Sequence, residues 1–347
     1  ILANMQGGVT VAPVHLIVAM DAKRTTLWNS IGEIAGTHPD QSIVMGAHRD
    51  AWEFGVTDDG SGIATLLEVA RGLGQLHRDG WTPKRTIVIA GWDAEEIGSL
   101  GSAEYVAAHR AALQHGCVAY INTDESASGP DFGADAAGAL SGQARAAIQN
   151  VLHITNPEID DPTGGSDFDS FIYTVGTPTF DLGYTGPLGS YHSPYDDFDF
   201  ASRFADPGFV HHQTIAQTIG IFAIRLAQSN RPLHFTPYVA VLENGVDALV
   251  KDANAAHATV DASALRAAIA TLRANATRYD ALTTPQDVPR ALRAAQQLDL
   301  IAYSANGYSG VAYPTIVNAI ATGKQPAIDA SVHDVIAEIG SAASVLR

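Results

Sequence analysis

The chain has 347 residues, enough for a large catalytic core with a smaller companion. Its 46% hydrophobic content and mean hydropathy of +0.04 suit a globule that buries a core, not a disordered chain. Lys and Arg number 20 against 37 Asp and Glu, and the resulting formal net charge of −17 excludes nucleic acid or an anionic membrane surface as the main partner. No apolar run approaches the roughly 20 residues that span a bilayer. The single cysteine, Cys117, rules out an internal disulfide and a thiolate metal cluster, and in the run CVAYINT it reads as core filling.

The chain opens at Ile1 without an initiator Met or a signal-peptide pattern, which reads as a fragment or processed form. From residue 14 to about 200, VHLIVAM, TLWNSIGEIAG, SIVMGA, RTIVIAGWD, CVAYINT and TPTFDLGY read as strands. Helical spacing intervenes at Ile63, Leu66, Leu67, Ala70 and Leu73 and over about 99–113, 141–153 and 207–227. The expected fold is α/β, a mostly parallel mixed sheet with helices on both faces. After about 233 Ala-rich helical patterns such as Leu265/Ile269/Leu272 and Val332/Val335/Ile336/Ile339 take over, with Pro-containing breaks between them. This predicts a catalytic domain over 1–231 and an all-α bundle over 232–347, joined near Asn230-Arg231-Pro232.

Acidic and histidine clusters stand where the strand-like runs end, the place where open α/β sheets build their sites. His48-Arg49-Asp50 follows SIVMGA, Asp58-Asp59-Gly60-Ser61-Gly62 precedes a helix, Glu95-Glu96 follows RTIVIAGWD, Asp124-Glu125 follows CVAYINT, and Tyr191-His192-Ser193 follows a Gly-rich stretch. Each has an ordinary reading alone, as a surface His, a solvated helix start or an N-cap turn. Together, two His and three carboxylates supply the nitrogen and oxygen donors that zinc accepts, and a shared carboxylate gives two similar ion sites about 3.5 to 4 Å apart.

The segments GAHRDAWEFGVTDDGSG, GWDAEEIGSLGSAEY, AYINTDES, GGSDFDSF, GSYHSPYDDFD and NGYSGVAYPTIVNAI, in this order, resemble the co-catalytic di-zinc exopeptidases, in the branch of glutamate carboxypeptidase and the transferrin receptor. The resemblance implies two zinc ions per chain, one held by His48 and Glu96, the other by Asp124 and His192, with Asp58 bridging. Glu95 would then be the general base and Tyr191 would polarise the scissile carbonyl. Asp50 would accept the second ring N–H of His48. Ser166, Asp167, Asp181, Tyr308 and Arg49 would support the ligands or line the substrate pocket, and the peptide bond Asp58-Asp59 would be cis.

Two departures shape the expected specificity. Where glutamate-specific members place an Arg pair this chain has Asp181 and Gly183, and where they place a Lys it has Gly307. The protease-associated insert of this branch is also missing, since Gly7-Gly8 runs almost directly into VTVAPVHLIVAM. The expected activity is therefore aminopeptidase-like or dipeptidase-like, with Glu125 and Asp181 placed to meet a free amine. A non-catalytic receptor is the alternative, disfavoured by the intact ligand set, and a non-peptide amide hydrolase is another. The resemblance also implies a homodimer through the helical domain, and the family's habit favours export to the periplasm or the cell exterior. His211-His212, Trp52, Phe54 and the triplet Asn275-Ala276-Thr277 read as packing, wall or chance features.

Overall fold

The protein is described by a computed structural model over residues 15–19, 23–306 and 309–347. Six strands form one sheet: β1 (Ser30–Ile34), β2 (His38–His48), β3 (Arg85–Trp92), β4 (Cys117–Asn122), β5 (Asp131–Ala136) and β6 (Thr179–Thr185). Their order is β1-β3-β2-β4-β6-β5. The inner pairs β3-β2, β2-β4 and β4-β6 are parallel, and the edge strands β1 and β5 are antiparallel. Parallel strands are covered on both faces and so need unbroken apolar runs. Ile43, Val44 and Met45 of β2 and all of β4 are accordingly buried, Cys117 included.

The longer helices of this half are α1 (Gly60–Arg78), α2 (Leu100–Gly116), α3 (Gly138–Leu152), α4 (Phe168–Val175) and α5 (Val210–Gln228). From β2 the chain passes through α1 to β3 on one side, then through α2 to β4 on the other. Right-handed crossovers in opposite directions put α1 and α2 on opposite faces, opening a crevice at the carboxyl ends of β2 and β4. Helices α1, α5 and α3 pack together in one layer, α2 with α4 in the other. Helix α1 starts at Asp59, whose carboxylate accepts from the Gly62 amide, and buries Leu66, Val69 and Leu73, each contributing roughly 1.5–3 kcal/mol. Leu67, expected on that face, is 65% exposed. Gly62 has no substitute, since a Cβ there would stand 1.7 Å from the Thr123 carbonyl oxygen.

Two strand expectations change. Residues 15–19 of VHLIVAM have no regular structure and expose Leu16, Ile17 and Val18, and Val14 and Met20 lie outside the described residues. Strand β5, DFGADA, was not predicted, because Asp and Gly are poor strand formers and an edge strand needs little apolar surface.

Beyond the link 229–235 the described chain is helical apart from a two-residue pairing, Ala305–Asn306 with Ser309–Gly310. The helices are α6 (Thr236–Ala255), α7 (Ala262–Asp280), α8 (Val288–Ala302), α9 (Pro314–Ala321) and α10 (Gln325–Val345). They pack on one another, and α8 also packs on α2 and α4. Buried apolar side chains form one continuous cluster across the link. The seam also carries hydrogen bonds: the Tyr303 hydroxyl accepts from the Gly138 amide at 2.9 Å, and the Gln296 side-chain amide donates to the Gln114 carbonyl oxygen at 2.7 Å. Among the described residues no helix is long and apolar enough to cross a membrane.

Candidate metal centre

His48 is the last residue of β2, Glu95 and Glu96 follow β3, and Asp124 follows β4, so three parallel strands deliver their side chains to one crevice. Asp58 reaches it from the turn before α1, and His192 from the segment after β6. Ala94, Glu125 and His192, in or beside this set, have left-handed backbone at φ 60°, 46° and 54°. Such conformations are costly for residues with a Cβ and gather at functional sites. The Asp58-Asp59 bond is cis, as the resemblance implies.

One Asp58 oxygen lies 3.1 Å from His48 Nε2, the other 3.0 Å from His192 Nε2, so this carboxylate sits between the two imidazoles. His48 Nε2 is also 3.3 Å from Asp124 Oδ1, and His192 Nε2 is 3.0 Å from Glu96 Oε2. The pairing therefore differs from the expected one: His48 groups with Asp124 and His192 with Glu96. Strand adjacency does not decide between them, because β3 and β4 both flank β2; the closest side-chain approaches do.

Asp58 Oδ2, Glu96 Oε1 and Asp124 Oδ1 are sealed from solvent without a hydrogen-bond partner. Buried carboxylates are tolerated only when paired or bound to metal. Burial first, then the neighbouring Asp124, pushes Glu95 up to about 7, and burial with Asp58 does the same to Glu96. Burial would lower the pKa of His48, but Asp124, Asp50 and Asp58 drive it far above the usual imidazole range. The pocket carries negative charge in want of cations. His48, Asp58 and Glu96 present ligand atoms within 4.8 Å of one another, as do His48, Asp59 and Asp124. Asp59 is already spent, since it accepts from the amides of His48, Gly62 and Glu125. The remaining five side chains, two nitrogen and three oxygen donors, fit a pair of zinc ions.

The supporting residues differ in detail from expectation. His48 Nδ1 lies 2.9 Å from the backbone carbonyl oxygen of Asp50, with the Asp50 carboxylate 3.7 Å away. That carboxylate instead accepts from the amides of Glu95 and Glu96 at 3.0 and 3.2 Å, so Asp50 ties the base pair of glutamates to β2. Burial tends to raise its pKa, but His48 and the Glu95 amide outweigh this and hold it below the usual range. Ser166 donates to Asp124 at 2.6 Å and accepts from Asn122. Ser99 donates to Glu95 Oε1 at 3.1 Å. Asp167 is buried at the start of α4 and neither of its oxygens hydrogen-bonds a histidine, so the support expected of it is absent. Arg49 is turned away, donating to the carbonyl oxygens of Gly91 and Trp28. Tyr308, like Gly307, lies outside the described residues.

Two anchors were missed in the sequence. Asp59 read as a cap alone, yet it also holds the amides of His48 and Glu125. Asp196, four residues after His192, accepts from the Thr57 amide and hydroxyl at 2.8 and 2.7 Å and from the Asp58 amide at 3.0 Å. The acidic run YHSPYDDFD was the available signal for Asp196.

The crevice opens into a cleft of about 430 Å³ lined by Asp58, Glu95, Glu96, Asp124, Tyr191 and His192 with Glu125, Ser166 and Asp181. Tyr191 is 47% exposed and stacks on the His192 ring at 3.7 Å, while Trp52 meets that ring edge-on at 6.2 Å. A larger apolar groove of about 1190 Å³ between α1 and α5 includes Phe54, Leu76 and Phe209 but gathers no set of ligands. Asn275 is 3% exposed and donates to Ala343, which leaves no room for a glycan.

The probable glutamate carboxypeptidase LAMP1 of Arabidopsis thaliana is 38% identical over 239 residues, covering 64% of this chain and 35% of that protein. The aminopeptidase NAALADL1 of Mus musculus is 34% identical over 255 residues, covering 63% and 34%. This chain thus spans about a third of the length of the curated relatives it matches. Among solved structures, a peptidase M28 precursor from Shewanella amazonensis is 28% identical with a TM-score of 0.48, covering 58% of this chain and 45% of that one. The sequence profile of peptidase family M28 matches residues 29–207, just over half of the chain and the stretch that carries the five candidate ligands, Glu95 and the six-stranded sheet; the chain belongs to this family.

Proposed function

We propose that the protein is a zinc-dependent exopeptidase with two ions per chain, one held by His48, Asp58 and Asp124, the other by His192, Asp58 and Glu96. The observation that carries this is the Asp58 carboxylate, with one oxygen on each histidine. When bound, the ions polarise the scissile carbonyl and acidify the attacking water. The chain's own part is proton handling and alignment. Ser99 holds one Glu95 oxygen, leaving Oε2 turned toward the cluster, 4.0 Å from His48 Nε2. Ionised beside bound cations, Glu95 is placed to take a proton from water as the water oxygen bonds to the carbonyl carbon. It then returns that proton to the amine as the C–N bond breaks. The Tyr191 hydroxyl, at the cleft wall, supplies a donor for the developing oxyanion.

Cleavage at the amino end, as an aminopeptidase or on free dipeptides, is preferred over glutamate-specific carboxypeptidase action. Among the described residues lining the cleft there is no Lys or Arg to meet a terminal carboxylate. Relatives carry names of both kinds. A receptor without chemistry is disfavoured because ligands and base converge.

The test is metal analysis with hydrolysis of free, N-blocked and C-blocked dipeptides in zinc. Two zinc per chain and turnover of substrates with a free amino end are expected. Glu95→Ala should keep its zinc and lose about 10²- to 10⁴-fold in turnover. A chain that binds no zinc, or an unimpaired Glu95→Ala, sinks the reading. Part of the same proposal is a homodimer through the helical half, for which sedimentation at micromolar concentration should give twice the chain mass.

A further inference from the structure

The cleft holds more acid than the metals use. Besides the ligands and Glu95 it is lined by Glu125, Asp169 and Asp181, with no Lys or Arg among the described lining residues. Asp169 accepts from the Gly165 amide. The Asp181 carboxyl group is enclosed by protein; Asn122 and the Leu182 amide hydrogen-bond it, yet Oδ1 is sealed from solvent with no hydrogen-bond partner. Beside it stands another acid, Asp135, its partner in the β5-β6 register. Burial first, then Asp135 and Asp124, holds the Asp181 carboxyl well above the usual carboxylate range, a cost of ionisation that a cation brought into the cleft would offset.

Strand geometry sets Glu125 and Asp181 on one wall. Alternate residues of β6 face the same way, so Asp181 and Gly183 share a face about 6.6 Å apart along the strand. A Cβ on Gly183 would come within 3.0 Å of the Glu125 carbonyl oxygen, so this face looks onto the turn that carries Glu125. Glycine at 183 lets the backbone of Glu125 and Ser126 pack close against β6. Glu125 is held in its left-handed conformation by the Asp59 carboxylate, which fixes its amide at 3.1 Å.

We propose that Glu125 and Asp181 form a specificity site for an organic cation of the substrate, an ammonium or guanidinium beside the scissile bond. This rests on the exopeptidase reading and names its substrate class: peptides whose terminal residue is Lys or Arg, with the free α-ammonium as the other source of the same chemistry. Acidic terminal residues are repelled from the same wall.

The experiment compares X-Ala dipeptides with X as Lys, Arg, norleucine or Glu, and their N-acetyl forms, on the zinc-loaded protein. It adds calorimetric titration with lysinamide, norleucinamide and N-acetyl-lysinamide, which reads the site without turnover. The expected result is at least a 10-fold preference in kcat/KM for Lys and Arg over norleucine, with Glu the poorest. In Asp181→Asn the Lys-to-norleucine ratio should collapse toward one, through KM more than kcat, and lysinamide should lose at least 10-fold in affinity. Retention of binding by N-acetyl-lysinamide assigns the side chain as the source, and its loss with norleucinamide still bound assigns the α-ammonium. A norleucine preference in the wild type, equal binding of all three amides with the N-acetyl form included, or an equal loss on every substrate in Asp181→Asn overturns the proposal. A protein that turns over no peptide but discriminates the amides would remove the exopeptidase reading and leave the cation site standing.

Discussion

Asp196 shows how one side chain fixes the spacing of two ligands 134 positions apart in the chain. Its carboxylate takes three donors from Thr57 and Asp58, and its backbone carbonyl takes the Val56 amide. The turn bearing Asp58 is thereby locked to the segment bearing His192. Asp196→Asn would set an N–H against an N–H at one of these positions, loosening the lock without emptying the site. The His192–Glu96 site is expected to weaken by about 10- to 100-fold while the His48–Asp124 site, held by sheet strands, changes little. Competition with a chromophoric chelator should then resolve two separate zinc-binding steps. Identical affinities in variant and wild type, with only a lowered Tm, would leave Asp196 a structural residue and nothing more.

At the level of elements, the parallel strands were legible because burial on both faces demands continuous apolar sequence, as in SIVMGA and CVAYINT. The same logic misled at VHLIVAM, where described residues are exposed and unpaired, since an apolar run states a preference for burial but not what would cover it. It missed β5, whose pairing is set by backbone register with β6 rather than by its Asp-rich and Gly-rich sequence. The ligands were legible for a related reason: strands that run parallel end on one side, so polar residues just past each apolar run must be neighbours. Which His would share an ion with which acid was not legible. Both β3 and β4 flank β2, so either acid can reach His48, and the choice rests on side-chain placement that no single segment encodes. Nor could spacing show that Asp59 spends both oxygens on backbone amides, because two of its three donors, His48 and Glu125, come from other elements.

Across the whole molecule the formal net charge is −17, and some of its acids are enclosed together where the strands end. That concentration makes the metal-free protein sensitive to pH in a definite direction. Burial and neighbouring acids lift Glu95, Glu96 and Glu125 from the ordinary 4.5 to about 7. Between these values the folded chain holds protons that the unfolded chain has released, so each rise in pH strips protons from the folded state and lowers stability. His48 acts in the same sense, because its folded pKa lies above its unfolded value and its contribution fades as pH rises. Asp50 acts in the opposite sense, but its lowered pKa confines that effect to acid conditions below the window. Chelator-treated protein is therefore expected to lose on the order of 5 °C in Tm between pH 5.5 and 7.5. Zinc should reverse the slope, because cations hold the carboxylates ionised and bind more tightly as protons leave. Scanning calorimetry at both pH values, with and without zinc, checks this. A metal-free Tm that rises across that interval would mean that the enclosed acids are balanced by something other than metal.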